Sequence, residues 1–305
     1  MSLPNAANAI AKGSLFPQEL VPEFLNLVKG KSSLAALCGA SPIPFNGLKE
    51  FTFSMDNEVD IVAEAGAKSA GGAQVGSVTI VPIKIEYGAR VSDEFIYGSE
   101  EVALDIMRAF ADGWAAKVAR GLDIMAMHGV NPRTGSAATA IGTNCLDSAA
   151  ATTVTYLANS STVDQNIEAA VDGVQAYDHD VTGLIAGGTA RSALAALTNN
   201  NGKVYPELAW GGQPGQLNGL KTEFNSTVQF NSSLARAYVG DFANFFKWGI
   251  AKELPIEVIE YGNPDNNATA GDLKGHNQVY LRGEAFIGWG ILDGKAFAKI
   301  AASST

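Results

Sequence analysis

The chain has 305 residues, 47% of them hydrophobic and only 17% charged, with a formal net charge of −10. A usual charged share is about 25%, so little of this surface is built to face water as a free monomer. The acidic balance excludes a nucleic-acid groove, which needs clustered Lys and Arg to displace counterions, and the two distant cysteines, Cys38 and Cys145, exclude a disulfide framework and a cysteine metal site.

From the N-terminus, MSLPNAANAIAKGSLFP is punctuated by Pro and Gly, and the short helical pieces that follow are broken at Pro22 and Gly30. This reads as an arm lying on something else, without a core of its own. It lacks the long apolar run and cleavage site of a signal peptide. No apolar run in the chain approaches the roughly 20 residues of a membrane span. The expectation is a soluble protein made inside a cell, with reduced thiols.

Residues 48–95 alternate apolar and polar side chains on both sides of EAGAKSAGGAQVGS, residues 64–77. Phe51, Phe53 and Met55 share one face going out, and Val81, Ile83, Ile85 and Tyr87 share one face coming back. Period two predicts strands, so this is a long hairpin. Pro82 marks an edge strand or a bulge, because it cannot donate to a ladder. A lone two-stranded ribbon is marginal in water. The tip, GAKSAGGAQVG at 66–76, has no side chain able to bury much area. Something outside the hairpin must cover it.

Residues 99–128 carry the strongest helical pattern. Val102, Ile106, Phe110, Trp114 and Val118 recur every four residues, widened by Met107, Ile124 and Met125. Ser99 is placed to cap the helix, with Glu100 and Glu101 in the first turn. Its length, roughly 45 Å, exceeds that of an ordinary domain helix. Gly113 and Gly121 each cost about 1 kcal/mol relative to Ala; a backbone passing close by would explain them. Arg108 and Asp112 lie four apart, where they can pair.

From 163 the pattern becomes a helix (DQNIEAAVDGVQAYD), a buried strand (VTGLIAGG) and a short helix (ARSALAAL) that Thr189 is placed to cap. A Gly-, Asn- and Pro-rich loop of more than 20 residues follows from about 199 to 220. Such loops are usually functional or clamped by a neighbour. Strand character returns at 237–239 and 256–261, and a last long strand runs through NQVYLRGEAFIGWGIL. Helices and strands are segregated, which predicts an α+β fold.

Reactive groups are sparse. His128, His179 and His276 are isolated in sequence. His179 stands between Asp178 and Asp180, which reads as a solvated turn more readily than as a metal site. IAGGTARS has two glycines between strand and helix, but neither the spaced glycines and Lys of a P-loop nor the third glycine of a dinucleotide fold. No catalytic residue, metal ligand or cofactor-binding residue is assigned.

An arm, a ribbon, a long loop and an oversized helix, none stable alone, form the profile of a subunit completed by its neighbours. In this order the elements resemble the major capsid proteins of tailed bacteriophages, the fold first known from phage Hong Kong ninety-seven. The resemblance runs over nearly the whole chain. It rests on this order together with SEEVALDIMRAFADGWAAKVARGLDIMAMHG, YVGDFANFFKWGIAKELPIEVIEYG and NQVYLRGEAFIGWGILDGKAFAKI.

The resemblance implies an N-terminal arm at 1–47, an extended loop at 48–98 and a peripheral domain with the spine helix at 99–162. It further implies an axial domain at 163–261 and the terminal peripheral strand at 262–305. It implies hexamers and pentamers of an icosahedral shell around double-stranded phage DNA, assembled in the host cytoplasm. Further partners would be a portal, decoration proteins and, since the arm-like segment starts close to Met1, a separate scaffolding protein. The extended loop would lie over an adjacent subunit, its small residues following that surface as the shell expands. Candidate subunit contacts are Asp56, Glu58, Asp60, Glu64, Lys68 and Gln74 on the hairpin, whose acidic residues would meet a basic strip, and Tyr205 and Trp210 on the long loop. Certain relatives cross-link a loop Lys to a neighbour's Asn; Lys68 sits near the tip, with no Asn or helping Glu assigned to it. Two other readings stand beside this one: an encapsulin-like cellular shell enclosing an enzyme cargo, and a small-molecule enzyme using the Gly-Gly turn.

Overall fold

A computed structural model describes residues 32–55, 57–94, 100–157 and 163–303, and of 100–106 the backbone alone. Most of the expected arm, the Ser99 cap and Asp56 lie outside the described residues.

In chain order the helices are α1 (Ser33–Leu37), α2 (Glu100–His128), α3 (Leu146–Ala149), α4 (Val163–Gln175), α5 (Gly188–Ala196) and α6 (Phe242–Phe245). The strands up to the long loop are β1 (Leu48–Met55), β2 (Ala73–Ile80), β3 (Ile83–Ser92), β4 (Thr152–Thr155) and β5 (Gly183–Ala186). The loop itself holds β6 (Thr198–Asn199), β7 (Gly202–Lys203) and β8 (Gln216–Leu217). Then come β9 (Leu220–Phe224), β10 (Ala235–Gly240), β11 (Phe246–Glu253), β12 (Glu257–Ile259), β13 (Gln278–Ile291) and β14 (Phe297–Ala301).

The hairpin is shorter than its sequence suggests. β1 and β2 pair antiparallel from Leu48↔Ile80 to Met55↔Ala73. The chain then breaks at Val81 and Pro82, and β3 joins a different sheet. Pro82 lacks the N–H that would carry the ladder onward, so it divides one apparent strand into two. The outgoing flank also ends at Met55, and residues 57–72 form no strand.

β13 organises the four-stranded sheet. One edge pairs with β3 from Gln278↔Ser92 to Ile287↔Ile83, and the other with β12 and then β11. Because successive side chains point to opposite faces, its residues serve two layers. On one face the ring of Trp114 from α2 lies against Gly283, where a Cβ would come within 2.9 Å of it. On the other, Ile80 and Ile43 pack over Gly288 and Gly290.

The six-stranded sheet runs β4-β14-β10-β5-β9-β8. One face packs Leu184, Ala186, Val239 and Ile300 against Ala170 and Val174 of α4. The other turns Ile185, Tyr238 and Phe297 toward a core shared with α1, the second half of α2, β11 and β13. Burial on both faces explains why VTGLIAGG reads as an unbroken apolar run.

The segment boundaries expected from the resemblance do not coincide with the sheets. β11 and β12, within 163–261, pair with β13; β14, within 262–305, pairs with β10; β4, within 99–162, pairs with β14. Likewise residues 32–43 are not an arm laid on something else. Leu34, Ala35, Leu37, Cys38 and Ile43 are buried in the chain's own core.

The long helix follows its pattern. Met107, Trp114, Val118, Ile124 and Met125 are buried and Phe110 is half-buried, while the side chains of Val102 and Ile106 lie outside the described residues. Among the described residues no backbone explains its glycines: nothing lies within 4 Å of a Cβ at Gly113, and only the Pro132 and Met125 side chains approach one at Gly121. Among the described residues no ion pair joins Arg108 to Asp112. Thr189 does not cap α5; Gly187 stands at that position. Both cysteines are free and buried. Cys38 donates to the Phe246 carbonyl at 2.9 Å, and burial pushes its thiol up to about 11, where it stays protonated and unreactive.

Candidate assembly surfaces

Among the described residues, no layer covers the ribbon of β1 and β2. Phe51, Phe53, Met55 and Val75 are 71%, 63%, 74% and 70% exposed. In register Phe53 stands opposite Val75. Beyond them Val59 and Ile61 are almost wholly exposed in the tip. Large exposed apolar patches on a folded chain mark interaction surfaces. Sequence reading found the alternation of Phe51, Phe53 and Met55 but not its exposure, because period two shows that two faces differ and not which one is covered.

Glu58, Asp60, Glu64 and Lys68 are all exposed in the 57–72 tip between β1 and β2. Gln74 is exposed on β2, opposite Ser54. Asp56 lies outside the described residues. Tyr205 and Trp210 belong to the long loop, which carries the β6/β7 hairpin and a 3-10 segment, Pro206–Gly211. Tyr205 is half-buried and its hydroxyl accepts from Asn218 Nδ2 at 3.2 Å. Trp210 is fully exposed and held at φ 57°, a left-handed conformation unusual for a bulky side chain.

The chemistry-bearing residues are committed to structure. His179 bonds Asp293 Oδ2 at 3.3 Å rather than either neighbouring Asp, and its ring meets Phe245 edge-on at 4.6 Å. At the Gly-Gly turn, the Gln229 Oε1 accepts from the Thr189 N–H at 3.2 Å and its Oγ1 at 3.1 Å. A side chain of the same protein thus takes an amide that a phosphate would need. Among the described residues no three His, Cys, Asp or Glu side chains cluster to hold a metal, and no helix is long and apolar enough to cross a membrane.

His128 sits in a network that spacing alone did not reveal. Its Nδ1 bonds Asp147 Oδ2 at 2.7 Å and its Nε2 bonds the Thr227 carbonyl at 2.9 Å. Tyr238 donates to Asp147 Oδ1 at 3.0 Å, and Lys299 lies 3.4 Å from the same oxygen. The network ties α2, α3, β10 and β14 together. Burial pushes the Asp147 carboxyl up, but the bond and charge of His128, the charge of Lys299 and the Tyr238 hydroxyl outweigh it and hold it below the usual carboxylate range. A lowered carboxyl in the folded state stabilises above its unfolded value and loses that contribution as pH falls through the folded one. Stability should therefore drop in acid below the ordinary Asp range. Asp147→Asn should lower stability at neutral pH by about 1–3 kcal/mol and flatten that acid dependence, as read by thermal unfolding across pH. An unchanged acid profile would show that the network carries no such linkage.

Among the described residues the ribbon is uncovered, and the three histidines are held in hydrogen bonds within the chain. The sequence matches the phage capsid family over residues 12–302, and the chain belongs to that family. Solved structures agree. A chain from Mycobacterium phage Ogopogo is 29% identical with a TM-score of 0.77, over 90% of this chain and 92% of that one. A chain from Gordonia phage Cozz is 23% identical with a TM-score of 0.73, over 90% and 87%. The structure described as the capsid of an empty GTA particle computed with C5 symmetry is 15% identical with a TM-score of 0.60, over 90% of each chain. A search of curated proteins returns no match. The protein is a capsid shell protein of the virion, and it has the mixed helix and sheet fold of the phage capsids.

Proposed function

We propose that this protein is the major capsid subunit, forming hexamers and pentamers of an icosahedral shell that encloses double-stranded phage DNA. The uncovered ribbon carries the reading. Its exposed Phe51, Phe53 and Met55 gain a covering layer when it lies over an adjacent copy. The acidic tip residues Glu58, Asp60 and Glu64, with Asp56, meet a basic strip on that copy, and Lys68 and Gln74 lie in the same contact. Tyr205 and Trp210 pack where the long loops of neighbouring subunits converge. In this reading the part of 1–47 before Ser32 serves as the arm, 48–98 as the extended loop, and 99–162, 163–261 and 262–305 as alternating peripheral and axial parts. Scaffolding, portal and decoration proteins are further partners, and assembly takes place in the host cytoplasm. The acidic chain encloses DNA without binding a sequence.

Electron microscopy and sedimentation of the purified protein test this. Rings of five and six, or closed shells, are the expected products, with DNA in particles taken from infected cells. A compact folded monomer under all assembly conditions would overturn the proposal; shells filled with an enzyme would make the protein a cellular compartment.

A further inference from the structure

Asp123 is fully buried in the second half of α2, and every described group bonded to it is a donor. The Ser33 N–H donates to Oδ2 at 3.0 Å and the Leu34 N–H to Oδ1 at 3.3 Å, and the Ser32 hydroxyl donates to Oδ1 as well. From the far side Asn225 Nδ2 donates at 2.8 Å and Thr227 Oγ1 at 3.4 Å. Three of the five donors thus belong to one short segment, residues 32–34.

That segment continues across both sheets. Leu37 packs against Gly183 of β5, and Lys221 of β9 donates to the Ala36 carbonyl. Trp248 of β11 donates through Nε1 to the Cys38 carbonyl at 3.0 Å. The Ser41 N–H then bonds the Trp248 carbonyl at 2.8 Å, and Gly249 leaves room for the Ser41 backbone. Ile43 ends on Gly288 of β13. Residues 32–43 therefore touch α2, the six-stranded sheet and the four-stranded sheet in turn.

We propose that residues 32–43 are a strap holding the two sheets in one relative position, and that Asp123 is its proton-controlled latch. A buried carboxylate is costly to keep charged unless a cation pairs with it, and among the described residues no cation bonds Asp123. Among the described residues, the titratable groups on the neighbouring stretches of chain are engaged elsewhere. Lys221 serves the Ala36 carbonyl, Arg120 bonds Ser226 Oγ at 3.2 Å, and His128 bonds the Thr227 carbonyl. Glu223, also on β9, adds no positive charge. With all donors in place, burial still pushes the Asp123 carboxyl from 3.8 up to about 6.

Undocking the strap returns the group to water and to its ordinary value, so a proton favours the docked strap. The docked state is firmest below the ordinary carboxyl range. It loosens as pH rises through about 6. At neutral pH the strap is held by its packing and its three donors to Asp123 against the cost of the charge.

Hydrogen exchange of the full-length protein tests the latch, comparing amides of 32–43 with those of 115–128 after correction for intrinsic rates. In the native protein the strap's protection relative to the helix should fall about tenfold between pH 5 and pH 7.5. Asp123→Asn removes the ionisation and should abolish that step. Ser32→Ala removes one donor, and should lower protection at both pH values while the step remains. Where a variant gives no folded protein, the native titration decides alone. A strap whose relative protection does not change from pH 5 to 7.5, or one that opens only with the whole core, overturns the proposal.

Discussion

Trp114→Ala should cost the subunit about 3–5 kcal/mol, the range for truncating a buried aromatic side chain. Trp114 is only 5% exposed, and its ring fills the space over Gly283 in the middle of β13. Glycine there offers no side chain to refill the gap, so the cavity persists. Native stabilities of about 5–15 kcal/mol leave little margin after such a loss, and the variant should accumulate as insoluble protein. Gly283→Ala probes the same contact from the other side. Its methyl group would stand 2.9 Å from the indole and should cost about 1–3 kcal/mol through overpacking. Denaturant unfolding of both variants checks this. Wild-type midpoints and yields would show that the helix does not rest on the sheet through this ring.

Replacing Phe51 and Phe53 together by Ser should have the opposite signature: an unchanged subunit and no shells. Both rings are exposed in the lone chain, so their removal should alter subunit stability by no more than about 0.5 kcal/mol. In a shell where a neighbour covers the ribbon, each ring contributes on the order of 1.5–3 kcal/mol per contact. The double variant should keep native circular dichroism and thermal unfolding while sedimenting only as free subunits. Excision of 58–71 should act in the same way, because it spares the paired residues of β1 and β2. Removal of 66–76 would instead cut away Ala73 to Gly76 of β2 and damage the ribbon itself. Normal, equally stable shells from either the double variant or the 58–71 excision would refute the account of why the ribbon exists.

What the sequence determined by itself was everything written in local periodicity. The four-residue spacing from Val102 to Val118 carries the long helix, the run NQVYLRGEAFIGWGIL carries β13, and the alternation of Phe51, Phe53 and Met55 carries the ribbon. These patterns, in this order, were enough for the capsid resemblance. Partnership between distant residues was decided only by the tertiary structure. Pro82 announced an irregularity, but only the pairing of β3 with β13 shows that the chain changes sheets there. Nothing near Asp123 in sequence points to Ser32, 91 positions away, and nothing near His128 points to Thr227 or Tyr238. The rule that separates the two sets is physical. A helix stripe or a strand alternation repeats within one turn or one pleat, so short windows contain it. A buried polar group takes whichever donors the packed core brings within about 3 Å, and those arise from loops and strands whose positions no local pattern encodes.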